Sequence, residues 1–372
     1  MTTDADTFRR RTTDAQQRLR ERGDDGLVLF PSRNLRYLAD YSEEPGERHF
    51  LLFVPAEGDP VFFVPALSGD QIREASWIDD VRTWDDAEDP VPRIADIAAE
   101  LDLAAGHLLV DDTMWALFTQ DLRTALPDAT FGLASEVLGD LRVRKDDTEL
   151  DAMARAAAVA DETVRDLRAM GEEALGLTEA ELAGEIEELL EANGGTGVSF
   201  ETIVGAGPNG AKPHHHHGDR EITPGEPVVL DFGTRVDGYP SDQTRTLVFG
   251  GEPSERFREV HEVVREAQQA GVDAVEPGVT AESVDAAARE VIEDAGYGDE
   301  FIHRTGHGVG LDVHEEPYIV EGNERELEPG MVFSVEPGIY LPGEFGVRIE
   351  DLVVVTADGS ERLNDTDRGW GC

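Results

Sequence analysis

The sequence predicts a chain of two domains, an α/β layer over residues 1–142 and a strand-rich domain with long helices over residues 143–372. Three observations carry this. At 372 residues the chain is long enough for two cores of ordinary size. Its first half alternates short apolar runs with stretches of helical periodicity, the pattern of strands layered with helices. Near residues 140–150 the texture changes to a long alanine-rich helix, and from residue 198 onward strands dominate.

In the first half, residues 27–30, 50–54, 60–64 and 107–110 read as strands. "FLLFVPAEGDPVFFV" reads as a hairpin turned at Glu57-Gly58-Asp59, and residues 66–76, 90–104 and 113–126 have helical periodicity. After a short exposed stretch, Thr148 with Asp151 three residues on is expected to open the long helix as a capping box. A second helix over residues 178–193 stops at Asn193-Gly194-Gly195, and two more are expected near 254–275 and 280–295. "VDGY", between "PVVLDFGTR" and "PSDQTRTLVF", signals a two-residue hairpin turn at Asp237-Gly238.

Hydrophobic residues make up 40%, as in a globular protein, while 80 acidic residues face 32 basic ones for a formal net charge of −48. Only Lys145 and Lys212 are lysines. Acidic runs such as Asp85-Asp86 and Glu185-Ile186-Glu187-Glu188 recur along the whole chain and form no single tail. A surface so uniformly acidic fits a very salty cytoplasm, where the Debye length shrinks to a few ångströms and self-repulsion is screened. It disfavours nucleic acid as a partner, since phosphate contact needs a basic face. The one cysteine, Cys372, excludes an internal disulfide framework. The N-terminal stretch "MTTDADTFRRRTTDAQQ" has no apolar segment of a signal peptide, and no apolar run reaches the roughly 18 residues of a membrane helix. No membrane role and a cytoplasmic location are expected.

The chemistry gathers in the second half. With Asp237-Gly238 as the turn, Val236 pairs with Tyr239 and Asp231 falls opposite Thr244. Asp242 is then the diagonal neighbour of Asp231 on the same face. Two such carboxylates repel unless a cation or proton intervenes; two solvated acids on an exposed sheet face are the plainer alternative. "FIHRTGHGVGLDVHEEP" supplies His303, His307 and His314, and "MVFSVEPGIYLPGEFGVRIEDLVVV" supplies Glu336 at the end of one strand and Glu350 within the next. A carboxylate buried unpaired among strand residues would cost several kcal/mol, roughly 2–7 even for a neutral polar group, and a metal removes that cost. An oxygen-rich set with one imidazole suits manganese, cobalt or zinc better than copper or an iron–sulfur cluster. "AKPHHHHGDR" adds four consecutive histidines, which in an extended segment cannot all face one metal.

"VVLDFG…DGYPSDQTRT", "HRTGHGVGLDVHEEP", "SVEPGIY" and "GVRIEDLVVVT" together resemble the pita-bread dinuclear metallopeptidases, the family of prolidase, aminopeptidase P and methionine aminopeptidase. The resemblance runs from about residue 145 to the end. A weaker one, as in "PSRNLRYLADYS", likens the first half to the creatinase-type domain of prolidase and aminopeptidase P. The fold implied is an α/β creatinase-like N-terminal domain, residues 1–142, plus an α+β pita-bread catalytic domain, residues 143–372. By position, Asp231, Asp242, His307, Glu336 and Glu350 match the ligands of two divalent ions, manganese first, with cobalt or zinc as alternatives. Asp242 and Glu350 match the bridging pair, Asp231 a ligand of one ion, His307 and Glu336 ligands of the other.

His214, alone of its run, matches an active-site histidine; His215 to His217 read as loop residues, although His216 can share a face with His214. His314 matches a substrate- and proton-handling position, and Glu336 is also the candidate proton carrier. His303 matches a position in the substrate pocket or just behind the ligands, and Arg348 an arginine that orients ligands or substrate. Both are taken as substrate-binding, with a satisfied core histidine and a surface arginine as their plainer alternatives. The function implied is metal-dependent hydrolysis of the N-terminal Xaa-Pro bond by a metal-bridging hydroxide, on a small peptide with proline second. A dipeptidase is preferred over an aminopeptidase, though nothing in the motifs decides between them. A homodimer is expected from the resemblance alone. The rival readings are a non-catalytic peptide- or partner-binding protein of the same fold and a hydrolase of another small amide.

Overall fold

A computed structural model describes residues 5–372; residues 1–4, part of the stretch read as lacking a signal peptide, lie outside it. The chain divides into two compact units between Arg142 and Val143.

The first unit contains α1 (Ala5–Arg22), β1 (Gly26–Leu29), α2 (Arg33–Ala39), β2 (Leu51–Pro55), β3 (Val61–Pro65), α3 (Ala66–Ala75), β4 (Asp80–Trp84), α4 (Pro90–Glu100), β5 (His107–Val110), α5 (Ala116–Ala125), β6 (Thr130–Leu133) and α6 (Ser135–Arg142). The sheet runs β4-β3-β2-β1-β5-β6. β2 is antiparallel to both neighbours, as a tight hairpin requires, and every other pair is parallel. The continuous apolar runs of β1, β2 and β3 are buried along their whole length because helices cover the sheet. Phe30, Phe53, Phe63, Trp84 and Phe118 form the aromatic part of one core cluster.

The second unit contains α7 (Asp147–Met170), α8 (Glu179–Ala192), β7 (Ile203–Ala206), β8 (Pro227–Phe232), β9 (Arg235–Val236), β10 (Tyr239–Pro240), β11 (Gln243–Val248), α9 (Glu255–Asp273), α10 (Ala281–Asp294), β12 (Gly306–Gly308), β13 (Glu315–Ile319), β14 (Val332–Val335), β15 (Gly338–Leu341), β16 (Phe345–Arg348), β17 (Asp351–Val355) and β18 (Ser360–Arg362). Antiparallel sheets of order β11-β8-β7 and β13-β12-β14-β17-β18, with the β15-β16 hairpin, carry the site. Asp237 and Gly238 both take positive φ, 49° and 84°, the turn that two-residue hairpins need. The register follows as expected, with Val236 opposite Tyr239 and Asp231 opposite Thr244.

Three local expectations are corrected. The capping box of α7 is Asp146 with Glu149, not Thr148 with Asp151: the Asp146 carboxylate accepts from the Thr148 and Glu149 amides, and Glu149 accepts from the Asp146 amide. The stretch before it is not exposed throughout, because Val143 and Lys145 are buried. "VRIEDLVVV" is not one strand; it breaks at Ile349-Glu350, leaving β16 in the hairpin and sending β17 into the larger sheet. Glu350 therefore sits at a crossing point between two sheets and not within a ladder.

Candidate metal centre

Each element end delivers one side chain to the same cavity. Asp231 lies near the end of β8, Asp242 just before β11, His307 in the middle of β12, Glu336 directly after β14 and Glu350 between β16 and β17. The glycines around His307 have a steric reason: a Cβ on Gly306 would overlap the Ser334 carbonyl, and one on Gly308 the Glu316 carbonyl. Only glycine lets β12 lie this close to its neighbours. The cavity measures about 530 Å³, room for a small peptide, and all nine residues singled out from the sequence line it, with Arg304 beside them.

Asp242, His307 and Glu350 offer ligand atoms within 4.8 Å of one another, all three residues being buried. His307 Nδ1 donates to the Gly308 carbonyl at 3.2 Å, which turns Nε2 toward Glu336 Oε1 at 3.2 Å and Asp242 Oδ2 at 3.7 Å. An imidazole nitrogen facing two carboxylates needs a proton or a cation there. Asp231 Oδ1 and Glu350 Oε1 are buried and accept no hydrogen bond among the described residues. Burial first, and then the neighbouring carboxylates, push Asp242 and Glu350 well above the usual carboxylate range. Burial also raises Asp231, although Arg348 opposes it. Glu336 goes the other way: burial works to raise it, but the hydrogen bond with His307 and the neighbouring His307, His303 and Arg348 hold it down to about 2. Orphaned oxygens, mutual repulsion and an O,N donor set all fit divalent cations.

A second layer orients these groups. Arg348 is 3% exposed, so it is no surface arginine. Its guanidinium donates to Asp231 Oδ2, to Thr244 Oγ1 at 3.0 Å and to Tyr340 Oη at 2.9 Å. Thr244 Oγ1 in turn donates to Glu350 Oε2 at 2.6 Å. His303 Nδ1 donates to the Arg304 carbonyl at 2.7 Å, so its Nε2 accepts from the Tyr340 hydroxyl at 2.8 Å. Tyr340 remains a phenol, its pKa raised to about 12 by burial. The structure thus turns His303 and Arg348 to protein partners as well as to the cavity wall. His314 lies beside His307, ring centroids 4.1 Å apart with the planes tilted by 54°, and burial first, then the neighbouring His307, lowers its pKa to about 4.

Sequence reasoning missed Thr244, Tyr340 and Arg304. Thr244 was readable, since the predicted register already set it opposite Asp231. Tyr340 and Arg304 carry no spacing signal; Tyr340, on β15, meets His303 and Arg348 only in the fold, and Arg304 lies in the loop before β12.

Carboxylates and an imidazole converging in a peptide-sized cavity define a candidate divalent-metal centre. Residues 151–357 match metallopeptidase family M24, and residues 11–144 match the creatinase/prolidase N-terminal domain. A Xaa-Pro dipeptidase of Lactobacillus helveticus is 42% identical over 359 residues, covering 95% of this chain and 96% of that protein. The dipeptidase PepE structure from Mycobacterium ulcerans superposes with a TM-score of 0.92 at 42% identity, over 100% and 99% of the two chains. A recombinant prolidase from Thermococcus sibiricus gives 0.94 at 40% identity, over 100% and 99%.

The chain belongs to metallopeptidase family M24, a family of dinuclear divalent-metal enzymes, and carries a creatinase-like N-terminal domain before a pita-bread catalytic domain. It is a metallopeptidase.

Proposed function

We propose that this enzyme hydrolyses the Xaa-Pro bond of dipeptides, with two divalent cations, manganese first, held by Asp231, Asp242, His307, Glu336 and Glu350. The observation that carries the reading is the convergence of these five donors, two with orphaned oxygens, on one cavity. A near-full-length relative named Xaa-Pro dipeptidase supports the substrate class. All five donors being present counts against a non-catalytic binding protein.

When bound, such cations supply an activated water and polarise a carbonyl. The protein's own groups do the rest. Asp242 and Glu350 would serve both cations, Asp231 one of them, and His307 and Glu336 the other. Glu336, on the cavity wall beside His307, would take a proton from the attacking water. It hands that proton to the departing prolyl nitrogen, which has no N–H of its own and cannot leave as an anion. His214 and His314, on the cavity wall, hydrogen-bond the scissile carbonyl oxygen as charge develops on it.

Arg304 supports a dipeptidase over an aminopeptidase. Two arginines line the cavity, and Arg348 is committed to Asp231. Arg304 lies over the Tyr318 ring at 4.4 Å, and among the described residues its guanidinium forms no ion pair. A guanidinium at the rim is the group that would receive the free carboxylate of a prolyl residue. Arg304→Met should raise KM for Ala-Pro at least tenfold, about 1.4 kcal/mol, while leaving any slow cleavage of Ala-Pro-Ala unchanged. Equal loss on both peptides would remove the argument for a dipeptidase.

The acidic, lysine-poor surface supports a salty cytoplasm as the working environment. Among the described residues no helix is long and apolar enough to cross a membrane. A homodimer belongs to the same reading and is checked by light scattering in molar KCl.

A further inference from the structure

The four histidines of residues 214–217 alternate. His214 and His216 are exposed, the latter beside Glu201, while His215 and His217 turn inward. His217 Nδ1 donates to the Thr202 carbonyl at 2.9 Å, and His215 Nε2 donates to Glu179 at 2.8 Å. Glu179, the first residue of α8, is fully buried. Its Oε1 accepts from the Ala206 amide at 2.8 Å and Asn209 Nδ2 at 2.9 Å; its Oε2 accepts from His215 and from the Gly218 amide at 3.2 Å.

Ala206 and Gly218 are the two ends of the loop that brings His214 to the cavity. One carboxylate therefore ties both ends and the middle of that loop to the start of a helix, where the backbone dipole also favours negative charge. Burial works to raise its pKa, but these donors, His215 foremost, hold it below the usual carboxylate range.

We propose that Glu179 and His215 are positioning residues for the reaction, holding the loop of residues 206–218 so that His214 keeps its place on the cavity wall. The proposal rests on the role given to His214 above. The hydrogen-bond partners of Glu179 include none of the proposed metal ligands, so its effect should reach activity without passing through metal content.

Glu179→Gln is a sharp test because neither amide orientation works. Each carboxylate oxygen faces one backbone N–H, Ala206 or Gly218, and whichever side takes the NH₂ group leaves that backbone donor without an acceptor. His215→Phe removes the middle tie, and His215→Gln restores a donor at the same reach. With Ala-Pro and added manganese, E179Q and H215F should lose roughly ten- to a hundred-fold in kcat, the cost of a displacement on the order of 1 Å. Bound metal per chain should stay as in wild type, and H215Q should recover most of the loss.

The double variant H214A/E179Q should be no worse than H214A alone within about twofold, because the anchor acts through His214. Wild-type activity in E179Q and H215F, loss of metal from both, or full multiplication with H214A would each overturn the anchor. If H214A itself keeps the wild-type kcat, the role of His214 fails and the proposal falls with it. Should E179Q not fold, H215F and H214A/H215F make the same comparisons.

Discussion

Thr244→Val removes one hydroxyl from the layer behind the proposed ligands and keeps the side chain's shape. Thr244 is fully buried, accepts from Arg348 Nε at 3.0 Å and donates to Glu350 Oε2 at 2.6 Å. A hydrogen bond to a charged partner contributes about 1.5–3 kcal/mol, so losing both sets a range of about 3–6 kcal/mol on folding. Arg348 keeps Asp231 and Tyr340, so the lower end is expected. Among the described residues Glu350 then loses the one hydrogen bond to its carboxylate, and outer groups of this kind change metal affinity by roughly 10–100-fold. Thr244→Ser keeps the hydroxyl and should cost about 1 kcal/mol for the lost methyl. Denaturant unfolding in molar KCl reads the stability, and competition with a chromophoric chelator reads the affinity. A folded T244V that binds metal as tightly as wild type would refute the claim that this hydroxyl orients Glu350.

Other outcomes follow from the same structure. His261 is buried, its Nε2 has no hydrogen-bond partner among the described residues, and burial lowers its pKa from 6.5 to about 4. The unfolded chain therefore binds a proton first, and stability present above pH 6.5 is lost as pH falls toward 4, by about 3 kcal/mol at 1.36 kcal/mol per unit. The difference in unfolding free energy between wild type and His261→Leu, measured from pH 7 downward, should shift by that amount; a pH-independent difference contradicts it. In chelator-treated protein Glu350→Gln should be at least as stable as wild type, since it removes one of several repelling carboxylates, yet it should bind metal far more weakly; calorimetry checks both. With 80 acidic residues against 32 basic ones, the melting temperature should rise as KCl goes from dilute toward molar, where the Debye length is about 3 Å. A fall over that range would remove the salt argument.

Much of this was legible before any fold was available, and the reasons are local. The hairpin around Asp237-Gly238 was readable because two positive-φ positions in a two-residue turn fix the register, which set Asp231 opposite Thr244 with Asp242 on the diagonal. The buried strands of the first unit stood out as unbroken apolar runs. Its edge strands did not: in β4 only Val81 and Trp84 are buried, and in β6 no residue is. The charge-rich α1 was passed over for the same reason, since its buried positions include Arg11 and Thr12. At the site, the donors sit in local motifs and could be matched one by one. Their organisers could not, because Tyr340 reaches His303 across 37 residues and Glu179 reaches His215 across 36, through contacts that no periodicity encodes. The break at Ile349-Glu350 is of this kind too: an apolar run says that a segment is buried, but not that two sheets share it.

The most direct test of the account is hydrolysis of Ala-Pro in molar KCl by wild type and Asp242→Ala, each with measured metal content and with manganese added or chelated. The account predicts cleavage by wild type that disappears on chelation and returns with manganese, and no cleavage by D242A. A wild type that holds two ions and leaves Ala-Pro intact, or a D242A variant as active as wild type, would contradict it.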